Sequence, residues 1–213
     1  MIRLLGRTGS INVRKVLWTL REIGVPFAHE AEWGTPARPT SAPVFLALNP
    51  NGLVPVLVDE AGAVWESNTI CRYLAAAFGR ADLLPAGAEA RAQVERWMDW
   101  QATDLNTAWR PAFMGLVRRD PRFADPTGIE RSAQNWNRLM GVLDGQLARA
   151  GDYVCGRTFT LADIVLGVSA HRWSMTPIAR PALPHVRAWF ARLKARPAAN
   201  VALLDRVSVA PQT

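Results

Sequence analysis

Three short stretches put groups able to bind charge at places where the chain must turn from strand to helix. In "GRTGSINVRKV", Ser10 stands between a short apolar run and a helical pattern. Its oxygen can cap the helix by accepting an orphan backbone N–H, a role Asn12 could also fill. A hydroxyl has one donor and two acceptor sites, so it can also donate to a bound anion at the positive end of that helix. In "WESN", Ser67 is a natural helix cap on the bland reading. On the functional one, the helix start seats a carboxylate while Glu66 beside it holds an ammonium, the two charges of an α-amino acid head group. In "NGLVPVLVD", Pro55 opens a strand to which it gives no N–H. On the residues alone a trans bond is the expectation. A cis bond would turn Val54 outward, with its N–H and C=O open to an extended peptide. In "GRTFTLADI", Thr160 and Asp163 have the spacing of a capping box, a structural role.

The elements that would hold these groups change character near residue 80. "IRLL" and "PFAHEAE" are strand candidates flanking a helix whose apolar face is Val13, Val16, Leu17, Leu20 and Ile23. Gly24 and Pro26 stop that helix. A loop from Trp33 to Pro43 and a short helical piece, "VFLALN", come next. "VPVLVD" and "AVWES" then pair as a hairpin across "EAGA". Ile70, Leu74 and Phe78 mark a helix ending at Gly79. Strand–helix–strand followed by a hairpin is an α+β arrangement. After "GRADLLPAGAEA" only helical spacing remains. One helix carries Val94, Trp97, Met98, Gln101, Leu105 and Trp109 and ends at Pro111. Others carry Trp136 to Leu147, closed by Gly151, and Val186 to Leu193, stopped by Pro197. "LADIVLGVSA" is apolar almost all round and should be a buried central helix. The division expected is an α+β domain over 1–80, a linker over 81–86 and an all-helical domain over 87–213.

Composition excludes several classes. The chain has 213 residues, enough to bury a real core, and no apolar run able to span a bilayer. "MIRLLGRTGS" carries no secretory signal, so a cytoplasmic location is expected and no membrane partner. The net charge of +7 is spread along the chain, +2 before residue 81 and +5 after it. No basic stripe or nucleic-acid module accompanies it, so a nucleic-acid partner is not expected, although anionic ligands are favoured. Cys71 and Cys155 read as reduced, buried thiols. His29, His171 and His185 lack metal-ligand spacing, and no metal is expected.

In this order and at these intervals, "SINVRKVLWTLREIGVPF", "LNPNGLVPVLVD", "WESNTICRYLA" and "GRTFTLADI" resemble the soluble glutathione S-transferase family over nearly the whole chain. The resemblance implies a thioredoxin-like N-terminal domain with a cis-proline at Pro55, an all-α C-terminal domain and a homodimer. It implies glutathione as co-substrate and a small hydrophobic electrophile as second substrate. Ser10 matches the serine of the theta-like and zeta-like branches, which activates the glutathione thiol. Asn12 resembles an asparagine of some bacterial members that also faces the sulfur. Val54 matches the residue whose backbone pairs with the cysteinyl unit, and Glu66 and Ser67 the pair that holds the γ-glutamyl head. Arg38, in the loop from Trp33 to Pro43, would lie near the glycine end. Asp104 resembles an acidic residue lent to the partner subunit's site. Trp97, Trp100, Trp109, Phe113 and Met114 are candidates for a greasy electrophile site or for plain core. No tyrosine stands near the first helix and no cysteine at position 10, which sets the chain apart from the tyrosine and disulfide-exchange branches. A non-enzymatic, dimeric binding or regulatory protein of the same fold is the alternative.

Overall fold

The computed structural model describes residues 1–203. The end of the helical domain expected to run to residue 213 lies outside the described residues. Strand β1 (Ile2–Leu5) leads into helix α1 (Ile11–Ile23), which returns the chain to β2 (Phe27–Glu30). β1 and β2 are parallel, with Ile2 opposite Phe27, as a helical crossover requires. After the short helix α2 (Pro43–Leu46), β3 (Val56–Asp59) joins the other edge of β1 antiparallel, and β4 (Gly62–Trp65) pairs antiparallel with β3. The sheet order is β2-β1-β3-β4. The hairpin turn is tighter than the sequence suggests: Glu60 and Ala61 alone separate the two strands. Helix α3 (Ser67–Ala77) packs beside α1, and both contribute to the main core.

Only helices follow among the described residues. α4 (Ala88–Trp100) runs through a π-helical turn at Gln101–Leu105 into α5 (Asn106–Leu116). The helix expected to stop at Pro111 continues through it. Proline removes one ladder bond and disturbs its neighbours. Here Ser132 repairs the ladder from outside. Its Oγ accepts the Ala112 N–H at 3.0 Å and donates to the Ala108 carbonyl at 2.6 Å. Ser132 belongs to α6 (Pro126–Ala150), so the repair is tertiary and has no local signature.

α7 (Leu161–Met175) is the central helix that its all-round apolar sequence implies, buried from Leu161 through Trp173. Its start has the expected capping box. Asp163 Oδ2 accepts the Thr160 N–H at 2.9 Å, and Oδ1 accepts from Val154 N–H and Trp189 Nε1–H at 3.0 and 2.8 Å. α8 (Pro184–Lys194) closes over α6 and α7. α1 lies against α7 so closely that a Cβ on Gly167 would sit 2.8 Å from Leu193 Cδ1 and 3.0 Å from Trp18 Cζ3. The first helix is thereby packed between its own sheet and the helical region. No helix among the described residues is long and apolar enough to cross a membrane.

Candidate active site

A cleft of about 420 Å³ opens between the β1–α1 turn and β3 on one side and α5 and α7 on the other. Ser10, Asn12, Val54, Pro55, Glu66 and Ser67 line its first wall, and Trp109, Phe113, Met114, Arg118 and Arg172 its second. A hollow of similar volume between α7 and α8 contains none of the candidate site residues named from the sequence.

Ser10 is the N-cap residue of α1 by backbone geometry, with φ −81° and ψ 125°. Its carbonyl accepts the Arg14 N–H at 3.1 Å, but its hydroxyl makes no capping bond. Side-chain capping of α1 by Ser10, allowed for in the sequence, is absent. Asn12, the alternative cap, lies inside the helix, and its Oδ1 is buried without a hydrogen-bond partner. A buried orphan acceptor is uncommon. Gly6 makes the arrangement fit. At φ +146° it adopts a conformation that side chains avoid, and a Cβ there would come 2.6 Å from Val13 Cγ2 and 2.9 Å from Val54 Cβ. The start of α1 can therefore approach Val54.

The Val54–Pro55 bond is cis. Asn49, itself buried, secures the approach to it by donating from Nδ2 to the Leu53 carbonyl at 2.7 Å. β3 begins only at Val56, and neither the N–H nor the C=O of Val54 bonds to another described residue. Those two groups form an open strand end at the edge of the cleft.

Ser67 is not the cap of α3. That position belongs to Glu66, with φ 71° and ψ 111°, and no side chain caps the helix. A non-glycine residue held there costs about 1–3 kcal/mol, and such strain gathers at functional corners. Below the corner sits Lys15, only 1% exposed. Its Nζ donates to Gln101 Oε1 at 2.5 Å, Asn68 Oδ1 at 3.1 Å and Ser67 Oγ at 3.5 Å. Burial pushes the Lys15 pKa down to about 8, while Cys71 and Glu66 nearby oppose the fall. Gln101 Nε2 donates in turn to Ser169 Oγ at 3.1 Å, so a polar chain runs from α7 to Ser67. Sequence reading missed this chain. The signal available was Lys15 itself, one of two lysines in the protein, placed among the apolar residues of α1.

Other expected residues fall elsewhere. Arg38 Nη1 lies 3.4 Å from Glu30 Oε2, and its guanidinium stacks 4.2 Å from the Trp33 ring, outside the cleft lining. Asp104 is exposed on the π-helical turn and accepts from Thr103 Oγ1 at 2.9 Å. Trp97 and Trp100 stack edge-on at 5.2 Å away from the cleft, whereas Trp109, Phe113 and Met114 line it. Both cysteines are free thiols outside the cleft. Cys71 is buried as expected, but Cys155 is only half-buried, because it sits in the loop before α7. Burial raises both thiols to about 11, which leaves them poor nucleophiles. No cluster of metal-ligating side chains occurs among the described residues.

A thioredoxin-like sheet with a cis-proline, completed by an all-α half across a shared cleft, defines a two-domain class of protein. The family model described as "Glutathione S-transferase, N-terminal domain" matches residues 9–77, and that described as "Glutathione S-transferase, C-terminal domain" matches residues 126–192. Glutathione S-transferase GstB of Escherichia coli is 36% identical over 98% of this chain and 100% of its own length. Glutathione S-transferase 3 of Zea mays is 34% identical over 92% of this chain and 90% of its own. The glutathione-bound crystal structure of the theta class enzyme from Xanthomonas axonopodis pv. citri superposes with a TM-score of 0.90. It is 39% identical, covering 97% of this chain and 99% of that one. The chain belongs to the glutathione S-transferase family, a family of transferase enzymes.

Proposed function

We propose that this protein conjugates glutathione to a small hydrophobic electrophile and that Ser10 holds the glutathione sulfur as thiolate. The observation that carries the reading is the meeting of Ser10, Asn12, Val54, Glu66 and Ser67 in one cleft. The tripeptide lies along Val54, whose free N–H and C=O extend the sheet by strand addition. Its γ-glutamyl carboxylate sits at Ser67 over the Lys15 charge, and Glu66 takes the ammonium. Asn12 faces the sulfur, toward which its side-chain amide N–H donates. The bound peptide fits the residues present, because it supplies the backbone partners that Val54 lacks.

A free thiol has a pKa near ~8.5 and is mostly protonated at neutral pH. A fall of roughly two units needs about 2.7 kcal/mol of preference for the thiolate. A charge-assisted hydrogen bond from Ser10 contributes about 1.5–3 kcal/mol and the uncapped start of α1 about 0.3–1 kcal/mol. The two together suffice. The thiolate then attacks the electrophile held against Trp109, Phe113 and Met114, and the thiol proton leaves to solvent. Ser10 acts as a donor, not as a covalent nucleophile.

The proposed division is a glutathione-binding domain over 1–80, a linker over 81–86 and a helical domain over 87–213. It is supported by strands confined, among the described residues, to Ile2–Trp65 and by the start of α4 at Ala88. A cytoplasmic homodimer, with Asp104 lent to the partner's site and Arg38 near the glycine end, belongs to the same proposal. The test is thiolate absorbance of bound glutathione as a function of pH. Ser10→Ala should raise the midpoint by about one to two units, in line with the loss of one charge-assisted bond. An unmoved midpoint would reject the role of Ser10.

A further inference from the structure

One buried cation on the second wall of the cleft has no part in the glutathione reading. Arg172 is 8% exposed, yet its guanidinium has no carboxylate partner among the described residues. It lies 4.3 Å from the Trp109 ring and 4.2 Å from the Phe113 ring. Burial first, then the like charges of Arg118 and Arg14, bring its pKa down to about 9. Arg118 stacks over Phe113 at 5.6 Å and feels Arg7, which lines the same cleft. A cation–π contact offsets only part of the cost of burying an unpaired charge. Like-charged neighbours add to that cost. Stacking alone therefore does not account for Arg172.

We propose that Arg172, set among Arg7, Arg118, Trp109 and Phe113, binds the carboxylate of an aromatic or similarly flat anionic electrophile. The preferred second substrate is thus an acid, not a neutral hydrophobe. This rests on the glutathione reading above and gives its second substrate, the electrophile, a carboxylate beside the hydrophobic body. The γ-glutamyl carboxylate already has its place over Lys15, at the other wall. The aromatic rings take the flat body of the substrate and the guanidinium its charged end, as a planar fork suits a carboxylate. In the step itself, the glutathione thiolate attacks the reactive carbon. The carbon–sulfur bond forms as the carbon–halogen bond breaks, and halide leaves with the bonding pair.

The experiment compares 4-(chloromethyl)benzoate with 4-(chloromethyl)benzamide, which share the reacting carbon and differ in charge. Each kcat/KM is divided by the uncatalysed rate constant with glutathione. The wild type should favour the acid by at least about tenfold, the scale of one charge-assisted hydrogen bond. Arg172→Met should bring the ratio close to one, and Arg172→Lys should restore part of it. A wild-type ratio near one, or a ratio that survives Arg172→Met, overturns the inference. So does an Arg172→Met variant that raises KM for glutathione while the ratio stays intact, since the arginine then serves the tripeptide. Should Arg172→Met fail to fold, competitive inhibition of the wild type by 4-methylbenzoate against 4-methylbenzamide decides instead. Stronger inhibition by the acid supports the inference, and equal inhibition overturns it. Retention on immobilised glutathione without turnover of either halide overturns this inference alone; no retention removes the glutathione reading as well.

Discussion

Lys15 is the residue on which the γ-glutamyl seat turns. Its charge lies under Ser67 and Asn68, and burial sets its pKa at about 8 against about 10.4 in the unfolded chain. Between those values the unfolded chain holds the proton that the folded protein has shed. Stability from this group therefore rises with pH across that window. Binding runs the other way, because a carboxylate ligand needs the lysine charged. The affinity for S-methylglutathione should fall as pH climbs through about 8. The ligand's amino group titrates nearby, so the measurement is calorimetric Kd from pH 7 to pH 9 in wild type and in Lys15→Gln. The wild type should lose roughly fivefold more affinity than the variant. Parallel curves would remove Lys15 from the seat. Ser10 and Ser67 could be picked from the sequence because each stands where a strand meets a helix. Lys15 and Arg172 could not, since what matters about them is burial without a carboxylate, and only packing decides that.

At the scale of elements, helix and strand order was legible wherever the pattern is local. Val13, Val16, Leu17 and Leu20 announce α1, and the apolar run of "LADIVLGVSA" announces α7. Pro111 was misread because the group that repairs its ladder, Ser132, lies on another helix. The strain at Glu66 and the close approach at Gly6 likewise depend on neighbours distant in sequence. The contact of α1 with α7 can be tested through glycines of the helical half. Gly167→Val places new carbons where even a Cβ meets Leu193 at 2.8 Å and Trp18 at 3.0 Å. Valine is the better helix former, yet overpacking should win and cost about 1–3 kcal/mol. Gly141 of α6 has nothing within 4 Å of its notional Cβ. Gly141→Ala should therefore stabilise by about 0.5–1 kcal/mol. Urea midpoints at constant slope report both changes. Equal effects at the two sites would mean that α1 does not press on α7 at Gly167.

For the whole molecule, the same contact decides whether the first half can exist alone. α1 is shared: Val16 and Leu20 belong to the core it forms with the sheet and α3, while Trp18, 0% exposed, meets α7. Polar ties run alongside. Gln101 accepts from Lys15 at 2.5 Å, Arg196 pairs with Glu22 through two bonds of 2.8 Å, and the Leu161 N–H donates to the Leu83 carbonyl at 3.0 Å. A fragment of residues 1–86 would expose Trp18 and strand Lys15 beside an unanswered apolar face. Each large side chain returned to water costs about 1.5–3 kcal/mol. Stability amounts to only about 0.05–0.15 kcal/mol per residue, so two or three such losses consume that of a fragment this size. The fragment should show no cooperative thermal transition by circular dichroism and poor amide dispersion by NMR. S-methylglutathione should not rescue it, because the Gln101 end of the polar chain is gone. A dispersed spectrum with a sigmoidal melt would show that the helical half is a lid on an independent domain, and the cleft would then be assembled by docking, not by folding.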